Sequence, residues 1–75
     1  MAMRSQKHGQ NAVGRNIREF RIKNGETQQK LGEIIGYSAT TVANYESGYR
    51  LPDVITARTI AEHYGVSIEA LFKQE

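Results

Sequence analysis

The sequence predicts an all-α fold, a compact bundle of five short helices, on three observations. Apolar residues recur at spacings of three and four rather than in alternation. Glycines stand where those periodic runs stop, at Gly25, Gly36, Gly48 and Gly65. Thr27, Ser38, Asp53 and Ser67 stand where the runs resume, and their short side-chain oxygens suit helix N-caps. No segment alternates with period two over a useful length, so strands are not expected.

Residues 1–11 have no periodicity and almost no apolar content, and read as a flexible basic arm, leaving 12–75 as the folded domain. A first helix over 13–24 gathers Val13, Ile17, Phe20 and Asn24 on one face and sets Arg15, Arg18, Glu19 and Lys23 elsewhere. The second, over 28–35, follows its Thr27 cap and turns Leu31, Ile34 and Ile35 inward. The third, over 39–46, follows Ser38, with Val42 and Tyr45 as its core pair, and Ser47-Gly48 breaks it. After a loop at Tyr49-Arg50-Leu51 and Pro52, a fourth helix over 53–64 spaces Val54, Ala57, Ile60, Ala61 and Tyr64 by three and four. A fifth, over 68–73, carries Ile68, Leu71 and Phe72.

Composition narrows the function. A domain of 75 residues buries only ~60% of the surface its unfolded chain exposes, so a partner subunit would help it. With no cysteine there is no disulfide framework and no thiolate metal site, which fits a reducing cytoplasm, the expected location. No apolar run approaches the ~20 residues of a membrane span. His8 and His63 lie too far apart to suggest a metal site, and no nucleophile–base spacing, Gly-rich phosphate loop or carboxylate pair is present. Neither an enzyme, a cofactor nor a small-molecule ligand is expected. Charge is uneven: residues 1–30 carry +5, 31–50 carry −1 and 51–75 carry −2. A basic end is an electrostatic footprint for a polyanion, although a solubilising surface looks the same.

The informative stretch is TQQKLGEIIGYSATTVANYESG, residues 27–48. A helix-turn-helix crosses two short helices at a steep angle through a turn of about three or four residues. Gly32 supplies the small residue where the second helix passes over the first, and Gly36 the turn residue free to adopt positive φ. Leu31, Ile35, Val42 and Tyr45 stand at intervals that fix the pair on the domain.

This run resembles the helix-turn-helix of the phage repressor and Cro proteins, the lambda-repressor-like or xenobiotic-response-element family. Gly14-Arg15-Asn16-Ile17-Arg18 with Arg21 and Gly25 is similar to that family's first helix. Thr27-Gln28 is similar to its start of helix two, and Asn44-Tyr45-Glu46-Ser47-Gly48 with Arg50 and Pro52 to its recognition-helix exit. Gly65-Val66-Ser67 and Leu71-Phe72 are similar to its closing turn and last helix. Three positions depart from the pattern. Glu26 stands where the family usually has an apolar residue, Gly32 where it usually has Ala, and the recognition helix carries no Lys or Arg.

The resemblance implies a sequence-specific regulator of the Cro/C1 type, expected to act as a repressor on double-stranded DNA and as a homodimer. Ser38, Ala39, Thr40, Thr41 and Asn44 would enter the major groove, and Thr27, Gln28, Gln29, Ser47, Tyr49 and Arg50 would complete the DNA contacts. Asn can pair bidentately with adenine, and Ala or Thr methyls suit the thymine methyl. Gln28 is otherwise a solvent-exposed polar residue, and Ser38 a cap alone. Arg21 and Glu46 are expected as a buried structural ion pair, with a direct phosphate contact by Arg21 the lesser reading. Leu71 and Phe72 either pack on the core or form the dimer contact. An antitoxin or adaptor that uses the fold to hold a partner protein is the alternative function.

Overall fold

The computed structural model describes residues 2–74, with side chains placed from Ala12 to Gln74. Five helices follow in order: α1 Ala2–Lys23, α2 Gln28–Ile35, α3 Ala39–Ser47, α4 Val54–Tyr64 and α5 Ile68–Phe72. There is no strand among the described residues. Each of the last four helices is opened by its cap, with the side chains of Thr27, Ser38, Asp53 and Ser67 accepting from Lys30, Thr41, Thr56 and Ala70 N–H. These bonds satisfy amides that have no partner in the first turn of a helix.

The core is one cluster drawn from every helix: Val13, Ile17, Leu31, Val42, Tyr45, Ala57, Ile60, Ala61 and Leu71. Phe20, Ile35, Tyr64, Val66 and Ile68 pack against it from the edge. No helix among the described residues is long and apolar enough to cross a membrane.

Two close approaches bring backbones together. A Cβ at Gly14 would stand 2.3 Å from the Tyr45 carbonyl oxygen and 2.6 Å from that of Glu46, so α1 lies directly on the last turn of α3. A Cβ at Gly32 would stand 2.8 Å from the Tyr37 carbonyl oxygen, so α2 lies directly under the turn that leads into α3. Both ends of α3 are therefore seated on glycine.

Four expectations are corrected. The first helix begins at Ala2, not near Val13. Residues 2–11 contain good helix formers and no proline, and a helix already nucleated on the core extends without a new nucleation cost. Asn24 is not a core position: its amide donates to the Phe20 carbonyl at 2.8 Å and helps close α1. Val54 is 70% exposed, and Thr56 is buried in its stead. In the first turn of α4 the core face runs through Thr56 and Ala57, because Tyr45 packs there beside Thr56. Leu71 is fully buried in the chain's own core, so of the two residues expected at a subunit contact only Phe72 reaches the surface.

Candidate nucleic-acid interface

α3 is a two-and-a-half-turn helix with a buried stripe, Val42 and Tyr45, and an outer face. Thr40 is exposed on that face, and Ala39, Thr41, Ala43 and Asn44 are partly so. Ser38 holds the start of the helix: its hydroxyl accepts from Thr41 N at 3.2 Å and meets the Thr41 hydroxyl at 3.3 Å. At the other end Ser47 donates to the Asn44 carbonyl at 3.2 Å and accepts from Tyr49 N at 3.3 Å. Arg50 N also reaches the Asn44 carbonyl, at 3.1 Å, so the loop folds back on the helix it leaves.

The polar residues of this region fall into two groups. Ser38, Thr41, Ser47 and Thr27 use an oxygen on the local backbone or on one another. The Asn44 amide, the Thr40 hydroxyl, the Gln29 amide, the Tyr49 hydroxyl and the Arg50 guanidinium make no hydrogen bond to any described residue. Tyr49 is 79% exposed, and Arg50 is exposed beside it. The start of α2, α3 and the loop after α3 thus present two carboxamides, a hydroxyl, a phenol and a cation without a hydrogen-bond partner among the described residues.

Beneath it runs a polar clamp. Arg21 Nε donates to Glu46 Oε2 at 2.6 Å and Nη2 to Oε1 at 3.1 Å, a two-pronged pair with side chains 11% and 4% exposed. The hydrogen bond and charge of Glu46 hold the guanidinium above its ordinary pKa against the opposing effect of burial. The third nitrogen, Nη1, donates to the Glu26 carbonyl at 2.7 Å. Gln28 Nε2 donates to Glu46 Oε1 at 3.0 Å. Its amide is therefore neither loose in solvent nor fully consumed, since a carboxamide has a second N–H and a carbonyl oxygen to offer. Arg21 has all three guanidinium nitrogens engaged inside the protein, so it is one of the basic residues of 1–30 that does not serve the surface.

Glu26, the carboxylate at a usually apolar position, extends the clamp to α4. Tyr64 donates its hydroxyl to Glu26 Oε1 at 2.7 Å, and His63 Nε2 lies 2.6 Å from Oε2. Burial pushes the Glu26 carboxyl up, but the bonds from Tyr64 and His63 and the histidine charge outweigh it, and the group sits below its ordinary pKa. Burial and the Glu26 partner push the Tyr64 phenol well up. Phe20 stacks on Tyr64 at 5.5 Å between ring centres. Asn16 is a second residue whose role comes from the structure: its amide donates to the carbonyls of Leu71 at 2.9 Å and Lys73 at 2.8 Å, fastening α5 to α1. Neither network has a signal in sequence spacing, because the partners lie 37 to 57 residues apart.

Among the described residues no cluster of His, Cys, Asp and Glu could hold a metal ion. Comparison with known proteins agrees with the geometry. A family model described as helix-turn-helix matches residues 17–71. An uncharacterized HTH-type transcriptional regulator of Bacillus subtilis, YgzD, is 34% identical over 56 residues, 75% of this chain and 85% of that protein. The HTH-type transcriptional regulator ImmR of the same organism is 31% identical over 64 residues, 85% of this chain but 50% of that protein. The crystal structure of a hypothetical transcription factor, NHTF from Neisseria, covers 87% of this chain with a TM-score of 0.79, and the chain covers 75% of it in return. At 23% identity that likeness shows the fold.

Proposed function

The chain belongs to the Cro/C1-type helix-turn-helix family of DNA-binding transcriptional regulators, and from that premise we propose that it is a repressor that sets α3 in the major groove as one half of a homodimer. The observation that carries the reading is the outer face of α3. The Asn44 and Thr40 side chains have no hydrogen-bond partner among the described residues, on a helix whose two ends are seated on backbone. Rigid presentation of unpartnered polar groups is what base-edge reading requires.

The contacts divide by chemistry. Asn44 offers the donor–acceptor pair that matches adenine, and the methyls of Ala39, Thr40 and Thr41 suit thymine, with Ser38 at the near edge. α3 holds no Arg or Lys for the guanine contact, so the half-site under it is rich in A·T pairs. Thr27, Gln28 and Gln29 open α2, where free backbone N–H groups and the positive helix end favour a phosphate. Gln28 meets it with the amide hydrogen that Glu46 leaves over, and Ser47, Tyr49 and Arg50 hold the opposite flank. Repression needs only occupancy of a promoter, whereas activation needs a further contact with the transcription machinery. The same reading favours a location where the DNA lies, in the cytoplasm.

The test is selection of bound duplexes from a random pool, followed by two variants on the selected site. Asn44→Ala costs about 1–3 kcal/mol there and relaxes preference at one or two positions. Arg50→Ala weakens all sequences alike and lowers the salt slope by about one. A selected site mainly of G·C pairs under α3 overturns this reading of the face. A promoter fused to the site and left at full output by the protein overturns repression.

A further inference from the structure

The outer face of α3 is built from short side chains alone. Ala39, Thr40, Thr41, Ala43, Asn44 and Ser47 are exposed or partly so, and none extends beyond a δ atom. The single charged residue of the helix, Glu46, is turned inward to Arg21 and is 4% exposed. A short side chain touches a base edge only when the helix backbone itself lies close to it. A long one can swing aside from an unwelcome group, whereas a short one leaves the whole helix to move. Here the helix already rests on backbone at both ends. A Cβ at Gly14 would stand 2.3 Å from the Tyr45 carbonyl oxygen, and one at Gly32 2.8 Å from that of Tyr37, so α3 has no slack to retreat into the domain. Asn44 is held at its own backbone as well, its carbonyl accepting from Ser47 Oγ at 3.2 Å and from Arg50 N at 3.1 Å. Its side-chain amide has no hydrogen-bond partner among the described residues.

A face of this kind responds to single methyl groups on the bases. Adenine shows its N7 acceptor and an N6 hydrogen in the major groove, and a carboxamide takes both, donating to N7 and accepting from N6. The other N6 hydrogen is used by thymine within the base pair. A methyl group on N6 of a paired adenine therefore lies in the groove, in place of the hydrogen that the Asn44 oxygen needs. The bond to N6 is lost, and the methyl fills the space of that oxygen. Neither Asn44 nor the helix beneath it has room to give way. A base that merely lacked the hydrogen would leave space for water to serve the orphaned oxygen, but the methyl leaves none. Methyl groups on the pyrimidine act in the opposite sense, because the thymine C5-methyl meets the methyls of Ala39, Thr40 and Thr41.

We propose that the protein distinguishes unmethylated from N6-methylated adenine in its DNA site through Asn44, and that methylation of that base releases the protein. The proposal rests on the DNA-binding reading above and adds to it a chemical state of the duplex that governs occupancy.

The probe is the duplex that the unsubstituted chain selects from a random pool. Each adenine of its half-site is replaced singly, first by N6-methyladenine and then by 7-deazaadenine, which lacks the N7 acceptor but keeps the N6 hydrogens. Affinities are read by titration at one salt concentration, because salt alone changes them. At one adenine of the half-site the N6-methyl form is expected to weaken binding about tenfold or more. At the same adenine the 7-deaza form is expected to weaken it by about severalfold, since one bond is lost and no clash is added. These measurements need no protein variant. Asn44→Ala then assigns the effect, with its melting temperature read alongside to show that the fold is intact. The variant binds the plain duplex more weakly and is expected to bind the plain, N6-methyl and 7-deaza forms within about twofold of one another. Unchanged affinity for every N6-methyl duplex overturns the proposal and leaves the DNA-binding reading standing. A half-site without adenine does the same, as does a methyl penalty with no 7-deaza penalty at that base, or one that Asn44→Ala shares in full. If the unsubstituted chain retains no duplex from the pool, the DNA-binding reading fails first, and this proposal falls with it.

Discussion

At its N-terminal end α3 is held by backbone and by its own Ser38 cap, without charge, whereas at its C-terminal end it is held by backbone and by charge. The first junction consists of Gly32 lying under Tyr37 and Ser38, with the Tyr37 and Gly36 N–H groups both donating to the Gly32 carbonyl. Every partner there lies within about two turns of sequence. The second consists of Gly14 against the carbonyls of Tyr45 and Glu46, and of Glu46 gripped by Arg21 and Gln28. Its partners come from three helices. A junction built from neighbours can relax locally, while one built from distant elements transmits any disturbance into the core. The C-terminal junction is therefore the one whose damage unfolds the domain, and the N-terminal one the one whose damage shifts the angle of α3.

The largest expected effect follows from Gly14→Ala. The added methyl would meet two carbonyl oxygens at 2.3 and 2.6 Å, and backbone atoms cannot turn aside as a side chain would. Overpacking ordinarily costs about 1–3 kcal/mol, more where the surroundings cannot yield. A loss of about 3 kcal/mol or more is expected, against a total stability of about 4–11 kcal/mol for a chain of this length. Thermal melts should show Tm falling by about 15 °C or more. A fall of only a few degrees would mean that α1 slides off α3 cheaply, and the contrast between the two junctions would collapse.

Glu46→Gln tests the charged half of the same junction. The amide keeps the shape and one acceptor but leaves the mostly buried Arg21 without its counter-charge, at a cost of about 2 kcal/mol. Denaturant unfolding measures it. Because Gln28 also rests on Glu46, affinity for DNA should fall even where the protein remains folded. Stability lost with DNA affinity untouched would separate the clamp from Gln28.

Gly32→Ala tests the other junction, and two effects oppose each other. Alanine is the better helix former by about 1 kcal/mol, yet its methyl would meet the Tyr37 carbonyl oxygen at 2.8 Å. The net is expected to be a loss of about 1 kcal/mol, visible in the melt as a shift of about 4–8 °C. A stabilised variant would show that the turn yields freely and that the close approach is incidental.

What could be read from the sequence was what local rules govern. Thr27, Ser38, Asp53 and Ser67 announce their helices because a cap needs only its own next three residues. Leu31, Val42 and Ile60 announce the core by spacing. Val54 was misleading because, at the start of a helix, spacing back from Ala57 admits either rotation, and only Tyr45 beside Thr56 decides between them. The start of α1 is illegible because residues 2–11 are mostly polar and have no apolar period. The Arg21–Glu46 pair follows from family resemblance rather than from spacing. Glu26 could be noticed as a carboxylate in an apolar place, but nothing in the sequence pointed to Tyr64 and His63 as its partners.

The smallest expected effect concerns that carboxylate, which joins the C-terminal junction to α4 through the Arg21 bond to the Glu26 carbonyl. In the folded chain the Glu26 pKa lies below its ordinary value of 4.5. A group depressed by folding contributes stability that is fully present above its unfolded pKa and is lost as pH falls through its folded one. Unfolding free energy should accordingly hold from neutral pH down to about the ordinary carboxylate value and decline below it as Glu26 takes up a proton. The Asp53 carboxyl, lowered by its bonds to Thr56, declines over a similar range, so the bare slope does not isolate Glu26. The comparison that does is Glu26→Gln, which keeps an acceptor for the Tyr64 hydroxyl but has no proton to take up. Measured by denaturant titration from pH 7 to pH 3, the variant should be the less stable protein at neutral pH, and the gap should close in acid. A constant gap across that range would show that the carboxylate charge adds nothing to the junction beyond the hydrogen bonds an amide can also make.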